Sequence, residues 1–332
     1  MPGLNAYQEP TIVGDPLKPF REIHARELKS YSVRDALDSH GYLLVRELLP
    51  HEDLRQLLGQ IIHILSAEGW LLPEHSALER IADVNAACGD PDPSFKRTYE
   101  QVFNLEEFHR LAHHLALRQV MEQLVGPRLL IHPKPIARLI FPNCERFMIH
   151  AHQDHKGIGG DPESFTAWMA LHDCPAELGP LHILEDSHRF GLQSADPETG
   201  CISRETARGG NWVSGQINAG DVVIFHSLTV HAASPNISNQ LRISMDCRFQ
   251  DYARVLDPST LVFPGSSKGG RSWETTYANW RSAELKYFWK RFPLRFKPSK
   301  VELAQLAESS DSPAMRSRYT SILTQIESEM PG

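Results

Sequence analysis

Between Ile149 and His155 the chain reads Ile-His-Ala-His-Gln-Asp-His, and within it His152 and Asp154 form a His-x-Asp pair. In an extended strand, residues two apart point to the same face, so an imidazole and a carboxylate project side by side. With a second histidine from a distant strand they would make a facial 2-His-1-carboxylate set, which leaves the opposite positions of a non-haem Fe(II) open for substrate and dioxygen. His231, in the run Gly-Asp-Val-Val-Ile-Phe-His-Ser-Leu-Thr-Val-His, is the expected third ligand, and His226 in the same run is its rival. Spacing alone is weak evidence, because the chain carries 17 histidines and His51 with Asp53 repeats the pattern. That second pair follows Pro50 and precedes an amphipathic run, so it reads as the solvated start of a helix.

Other residues offer themselves as lining. His150 lies two before His152 and shares its parity, so it either faces a substrate pocket or makes a core hydrogen bond. Lys134 and Arg138 are four apart in an expected strand 129–141 and so share a face, where they would meet an anionic group or remain edge charges. The run Gly157-Ile-Gly159-Gly160 lacks the Gly-Lys-Ser/Thr of a phosphate loop and reads as a mobile lid beside the metal.

These residues need a scaffold of strands. From Leu129 to Arg248 short Val/Ile/Leu/Phe runs alternate with Gly, Pro, Asn and Asp clusters, the pattern of an all-β region. The expected strands are 129–141, 147–153, 166–172, 181–184, 212–217, 221–226, 230–233 and 241–249, which suit a double-sheet jelly roll. Before it, Leu54, Leu57, Leu58, Ile61, Ile62 and Leu65 recur at helical spacing after Pro50. A second helix is expected over 105–125, stopped by Gly126-Pro127, and Tyr42–Val45 reads as a buried strand. Residues 1–128 therefore form an arm and supporting helices, 129–250 the roll, and 251–332 a helical extension with an aromatic, basic run around Lys286–Lys297, all one domain.

Composition narrows the class. The 332 residues are 41% hydrophobic and 23% charged, and the net charge of −7 argues against general nucleic-acid binding. No apolar run approaches the ~18 residues of a membrane span, and no signal-peptide pattern opens the chain. Five cysteines without a Cys-x-x-Cys pair read as free thiols of a reducing compartment. The expectation is a soluble cytoplasmic protein with a small-molecule partner, no nucleic acid and no membrane, with homo-oligomerisation left open.

The motifs together resemble the phytanoyl-CoA dioxygenase family of Fe(II)/2-oxoglutarate oxygenases. The resemblance rests on His152-Gln153-Asp154, on the block from Trp168 to His188, on Gly220–Asn236 with its distal histidine, and on Arg242 beyond it. The opening Asp38-Ser-His-Gly41-Tyr-Leu-Leu-Val is similar too, so the match runs from about Asp35 to Phe249. It implies a double-stranded β-helix (jelly roll, cupin-like, with flanking helices) and Fe(II) held by His152, Asp154 and His231. It also implies 2-oxoglutarate and O2 as cosubstrates, with Arg242 on the distal carboxylate and Trp168 near it. Two departures stand out. Glu185-Asp186-Ser187-His188 replaces the family's Pro-Gly-Ser-His, and Ala233 stands where some members have a hydroxyl, so that hydrogen bond is absent or comes from Ser244 or Ser234. Lys96 and Arg97 loosely resemble a basic residue that touches the cosubstrate in some members. Asp154 in the carboxylate position implies hydroxylation over halogenation, which leaves that position to chloride. The alternatives are a jelly roll that binds metal without turnover, as a sensor or binding module, and a cupin-like isomerase or hydrolase with another metal.

Overall fold

The computed structural model describes residues 17–196, 201–202, 210–261 and 272–329. Strand β1 (Glu22–His24) leads into α1 (Val33–His40), which Ser32 caps by accepting from the Asp35 N–H. Gly41 ends α1 at φ 78°, a left-handed turn that turns the chain into β2 (Tyr42–Arg46). The amphipathic run becomes α2 (His51–Ala67), with all six expected apolar positions buried. His51 and Asp53 lie in its first turn, so that His-x-Asp pair is a helix start. α3 (Pro93–Phe103) follows, and the single helix expected over 105–125 is two, α4 (Glu106–Ala112) and α5 (Leu115–Val125). The break falls at His113-His114, where the His114 side chain caps α5.

The expected strand 129–141 is likewise split, into β3 (Leu129–Ile131) and β4 (Ile136–Ile140). Pro133 and Pro135 lie between them, and neither has an N–H to give a ladder. After a 3-10 turn at Glu145–Phe147 the strand expected over 147–153 is reduced to a single bridge at His152, and a short helix, α6 (Asp154–Ile158), follows it. The remaining strands are β5 (Ser164–Ala170), β6 (Leu181–Leu184), β7 (Trp212–Val213), β8 (Val222–His226), β9 (His231–Ala233) and β10 (Arg242–Asp251). β11 (Val255–Leu256) and β12 (Arg295–Phe296) form a small parallel pair beyond them. The tail holds α7 (Trp273–Tyr277), α8 (Lys300–Ser309) and α9 (Pro313–Glu329), but its aromatic run is a 3-10 turn (Phe288–Arg291) rather than a helix.

The strands form a jelly roll of two facing sheets. The larger runs β1-β2-β8-β5-β10-β3, with β4 also paired to β10; the smaller is β7-β6-β9. Single bridges such as His152↔His231 and Cys174↔Ile217 lie outside the ladders, and the sheets do not close into a barrel. Since β1 and β2 belong to the larger sheet, the roll draws on chain before residue 129. Alternation sorts each strand into two environments. On β5, Phe165, Ala167 and Met169 join the core under the helices, and Trp168 and Ala170 join the core between the sheets. On β10, Ile243, Met245, Cys247 and Phe249 go to the helical side. The opposite face of β10 is Arg242, Ser244, Asp246, Arg248 and Gln250, all buried, a polar wall inside the roll. Polar groups withdrawn from water need partners, and those partners make up the site. Among the described residues no helix is long and apolar enough to cross a membrane.

Candidate metal centre

His231 opens β9 opposite Ile183 of β6. His152 sits across from it in an isolated bridge, each N–H donating to the other's carbonyl at 3.0 Å. Gln153 is extended (φ −115°, ψ 130°), so Asp154 turns to the same side as His152 although it already begins α6. The side chain of Gln153 ties the neighbouring loops together, donating to the carbonyls of Gly191 (2.9 Å) and Leu228 (2.6 Å) and accepting from the Gln193 N–H (2.8 Å). The result is one cluster: ligand atoms of His152, Asp154 and His231 all lie within 4.8 Å of one another, the sole such group among the described residues.

Hydrogen bonds fix what each group presents. Nδ1 of His152 donates to the His150 carbonyl (2.8 Å) and Nδ1 of His231 to the Thr229 carbonyl (3.0 Å). Both Nε2 lone pairs are thus left facing Asp154 Oδ1, each at 3.8 Å. Fixing the tautomer through the other ring nitrogen is how proteins orient metal-binding histidines. Burial pushes His152 down to about 3, and it lowers His231 as well, so both rings are neutral at neutral pH. Burial opposes ionisation of Asp154, but the Arg248 guanidinium and the Thr166 hydroxyl hold its carboxyl below the usual range. Two neutral imidazoles and one carboxylate are a donor set that suits a divalent ion of the Fe(II) type. Asp154 and His231 are buried while the His152 side chain keeps 24% of its exposure, so the cluster opens on the His152 side.

His226 does not join this group. It ends β8 opposite Phe165, on the helical side of the larger sheet, and its Nε2 lies 3.6 Å from Glu163. His150 contributes its backbone carbonyl, and its ring lies outside the lining of the cavities beside the triad. Lys134 does not share a face with Arg138: it lies in the turn between β3 and β4 and donates to the Ser259 carbonyl (2.7 Å). Arg97 is on the surface with Glu68 (2.9 Å). Within the replaced motif, Ser187 accepts from the Val230 N–H (2.8 Å) and so braces the entry to His231, while His188 reaches the Asp38 carbonyl. Within the glycine segment Gly159 and Gly160 are packed, whereas Gly157 is open. A Cβ on Gly160 would meet the Val255 carbonyl at 2.8 Å, and the Asp161 N–H donates to that same carbonyl (2.9 Å).

Beside the triad a narrow cavity of about 20 Å³ is lined by His152, His231, Trp168, Leu181, Arg138 and Arg242 among others. Arg242 is 1% exposed. One of its amino groups donates to the Gly179 carbonyl and its Nε has no partner. No carboxylate pairs with it among the described residues. Burial lowers it to about 10, which leaves it charged at neutral pH. The Ser244 hydroxyl, two residues along the same face, is also buried without a partner. A buried cation and an orphaned hydroxyl are the groups an anionic ligand would satisfy. On the other side, a cavity of about 410 Å³ lies between α3, β4 and the 145–149 segment, and it shares Arg138 and Ile149 with the narrow one. Lys96 is on its wall.

Three residues that the motif reading passed over complete the centre. Thr166 donates to Asp154 Oδ2 (2.6 Å), Arg248 sits opposite Thr166 across the β5–β10 ladder, and Asp246 lies next along the wall. The signal for two of them was present: Arg242-x-Ser-x-Asp-x-Arg-x-Gln250 is a period-two polar pattern inside an otherwise apolar strand.

A family model, phytanoyl-CoA dioxygenase, matches residues 37–244. The chain is 25% identical over 244 residues to 1-deoxypentalenic acid 11-beta-hydroxylase of Streptomyces exfoliatus, covering 65% of this chain and 81% of that one. It is 22% identical over 246 residues to peroxisomal phytanoyl-CoA dioxygenase of Bos taurus, covering 70% and 72%. In fold it is similar to the epimerase SnoN, solved with Fe3+, alpha ketoglutarate and a nogalamycin. The TM-score is 0.52 at 22% identity, over 74% of this chain and 93% of that one.

Proposed function

The chain belongs to the phytanoyl-CoA dioxygenase family of Fe(II)- and 2-oxoglutarate-dependent oxygenases, and from that premise we propose that it hydroxylates a C–H bond of a small molecule. The balanced reaction takes substrate, dioxygen and 2-oxoglutarate to hydroxylated substrate, succinate and carbon dioxide, one oxygen atom going to each organic product. The single observation that carries the reading is the His152–Asp154–His231 cluster with Arg242 beside it, a buried cation that has no carboxylate partner among the described residues.

When bound, ferrous iron and 2-oxoglutarate supply the dioxygen chemistry, and the chain supplies placement and a dry site. His152, Asp154 and His231 would hold the metal, and Arg242 would receive the distal carboxylate, with Ser244 and Trp168 next to it. The narrow cavity has room for about one water, so a five-carbon diacid enters only as side chains around Trp168 and Leu181 give way. The 410 Å³ cavity falls within the roughly 300–1,000 Å³ usual for small-molecule sites and would hold the substrate. Its wall of Phe95, Ile136, Ile140, Phe147 and Met148 suits an apolar body, and Arg138 at its inner end faces the metal side.

The test is a substrate panel offered to protein loaded anaerobically with Fe(II), read by succinate release and product mass. Substrate-stimulated succinate with a product one oxygen heavier supports hydroxylation. Succinate release with a product two hydrogens lighter would replace hydroxylation by desaturation or ring closure, and with a product of unchanged mass by isomerisation.

A further inference from the structure

Asp154, Arg248, Asp246 and the partly exposed Arg138 form a row of charges alternating in sign. Arg138 clasps Asp246 with two parallel bonds, Nε to Oδ1 at 3.1 Å and Nη2 to Oδ2 at 2.8 Å. Arg248 Nη2 then donates to Asp246 Oδ2 (2.8 Å) and lies 3.2 and 3.3 Å from the two oxygens of Asp154. Arg248 is 7% exposed and Asp246 3%. Bridging these two carboxylates is all that the ladder asks of Arg248. Surface ion pairs contribute little, but this one is withdrawn from water, where charges act strongly on one another.

We infer that Arg248 is a positioning residue that holds the Asp154 carboxylate toward the metal and, by its charge, favours the ferrous over the ferric state. The inference rests on the reading of the triad as an iron site. Thr166 takes Oδ2 of Asp154 (2.6 Å) while Arg248 reaches both oxygens (3.2 and 3.3 Å), so Arg248 braces the whole carboxylate and Thr166 leaves Oδ1 as the oxygen facing both Nε2 atoms. Groups hydrogen-bonded to a ligating carboxylate set its orientation and basicity, and their loss typically weakens metal binding by about 10–100-fold. The electrostatic half follows from charge. Arg138, Asp246 and Arg248 together leave one positive charge behind the ligand, and a positive charge opposes the more highly charged oxidation state. The far end of the ladder, Arg138, lines both cavities, so the same device borders the substrate side.

The experiment compares the full chain with Arg248→Met, Arg248→Lys and the charge-balanced Asp246→Asn/Arg248→Met. Ferrous affinity is read by anaerobic chelator competition and the iron midpoint potential by mediated titration. Arg248→Met is expected to weaken ferrous binding by about 10–100-fold and shift the midpoint negative. Arg248→Lys keeps the charge on a shorter side chain without the guanidinium plane, so its midpoint is expected to stay near wild type while part of the affinity is lost. If Arg248→Met does not fold, the double variant carries the comparison, with the same loss of affinity and a smaller negative shift. Wild-type affinity and midpoint in the folded neutral variants would overturn the inference, even if their melting temperatures fell. A wild-type chain that binds no ferrous ion overturns the iron reading itself, and this inference with it.

Discussion

His152 and His231 face each other across one backbone bridge, their N–H groups donating reciprocally at 3.0 Å and their ring centroids 4.2 Å apart. Main-chain bonds therefore bring the two imidazoles together. Metal loading should leave the far-UV circular dichroism spectrum unchanged while raising the melting temperature. At a metal concentration a hundred times Kd the gain is about 2.7 kcal/mol. A large gain in secondary structure on adding Fe(II) or Co(II) would contradict a preformed site.

Arg242 is a buried cation with one backbone partner, and this sets it apart from a structural salt bridge. In a desolvated site, removing one member of a charge pair costs on the order of 2–5 kcal/mol of binding, so Arg242→Met should raise the 2-oxoglutarate requirement roughly 30-fold or more. Arg242→Lys should recover only part, because an ammonium cannot form the guanidinium fork. Replacing a buried, poorly paired charge by an apolar side chain is often neutral or stabilising, so Arg242→Met should not lower the melting temperature of the metal-free protein. A fall in melting temperature with unchanged 2-oxoglutarate dependence would mark a structural role.

Acid should unfold the metal-free protein early. Burial holds His109, His172 and His182 at about 4 and His132 at about 3. Their unfolded values lie near 6.5, so below that pH the unfolded chain takes up protons that the folded chain refuses. Stability is fully present above about pH 6.5 and is lost as pH falls toward 4, each group contributing up to about 1.4 kcal/mol per pH unit. Urea midpoints at pH 7.0, 5.5 and 4.5 should fall steeply in that order. A flat profile would mean that these histidines are protonated when buried.

The larger cavity separates substrate from cosubstrate. Ile136 lines it and does not line the narrow cavity beside the triad. Ile136→Trp should suppress substrate-stimulated succinate formation at least tenfold while leaving iron and 2-oxoglutarate binding near wild type. Unchanged turnover with a true substrate would move the substrate site elsewhere.

Much of this was legible in the residues. Two-residue spacing placed His152 with Asp154, helical spacing gave α2 with its buried face, and the apolar run Tyr42–Val45 gave buried strand β2. What sequence periodicity missed depends on long-range pairing. Pro133 and Pro135 divide what reads as one strand, because β10 pairs with β3 and β4 at different points along its edge. Lys134 thereby falls in a turn, away from Arg138. Asp154 reads as a strand residue but starts a helix, and the geometry survives because Gln153 stays extended. The roles of Thr166 and Arg248 depend on their being opposite each other across the β5–β10 ladder, a register that only the folded sheets supply. The glycines after Ile158 suggest freedom, yet the Asp257 side chain packs against Gly159 and the Val255–Asp257 backbone against Gly160.

The most direct test of the account is metal stoichiometry in two single variants. His231 lies inside the roll facing Asp154 Oδ1, whereas His226 lies behind the sheet near Glu163. Anaerobic titration with Fe(II), followed by desalting and metal analysis, should give one iron per chain for wild type and for His226→Ala, and far less for His231→Ala. Loss of iron in His226→Ala with full retention in His231→Ala would contradict the assignment of the centre.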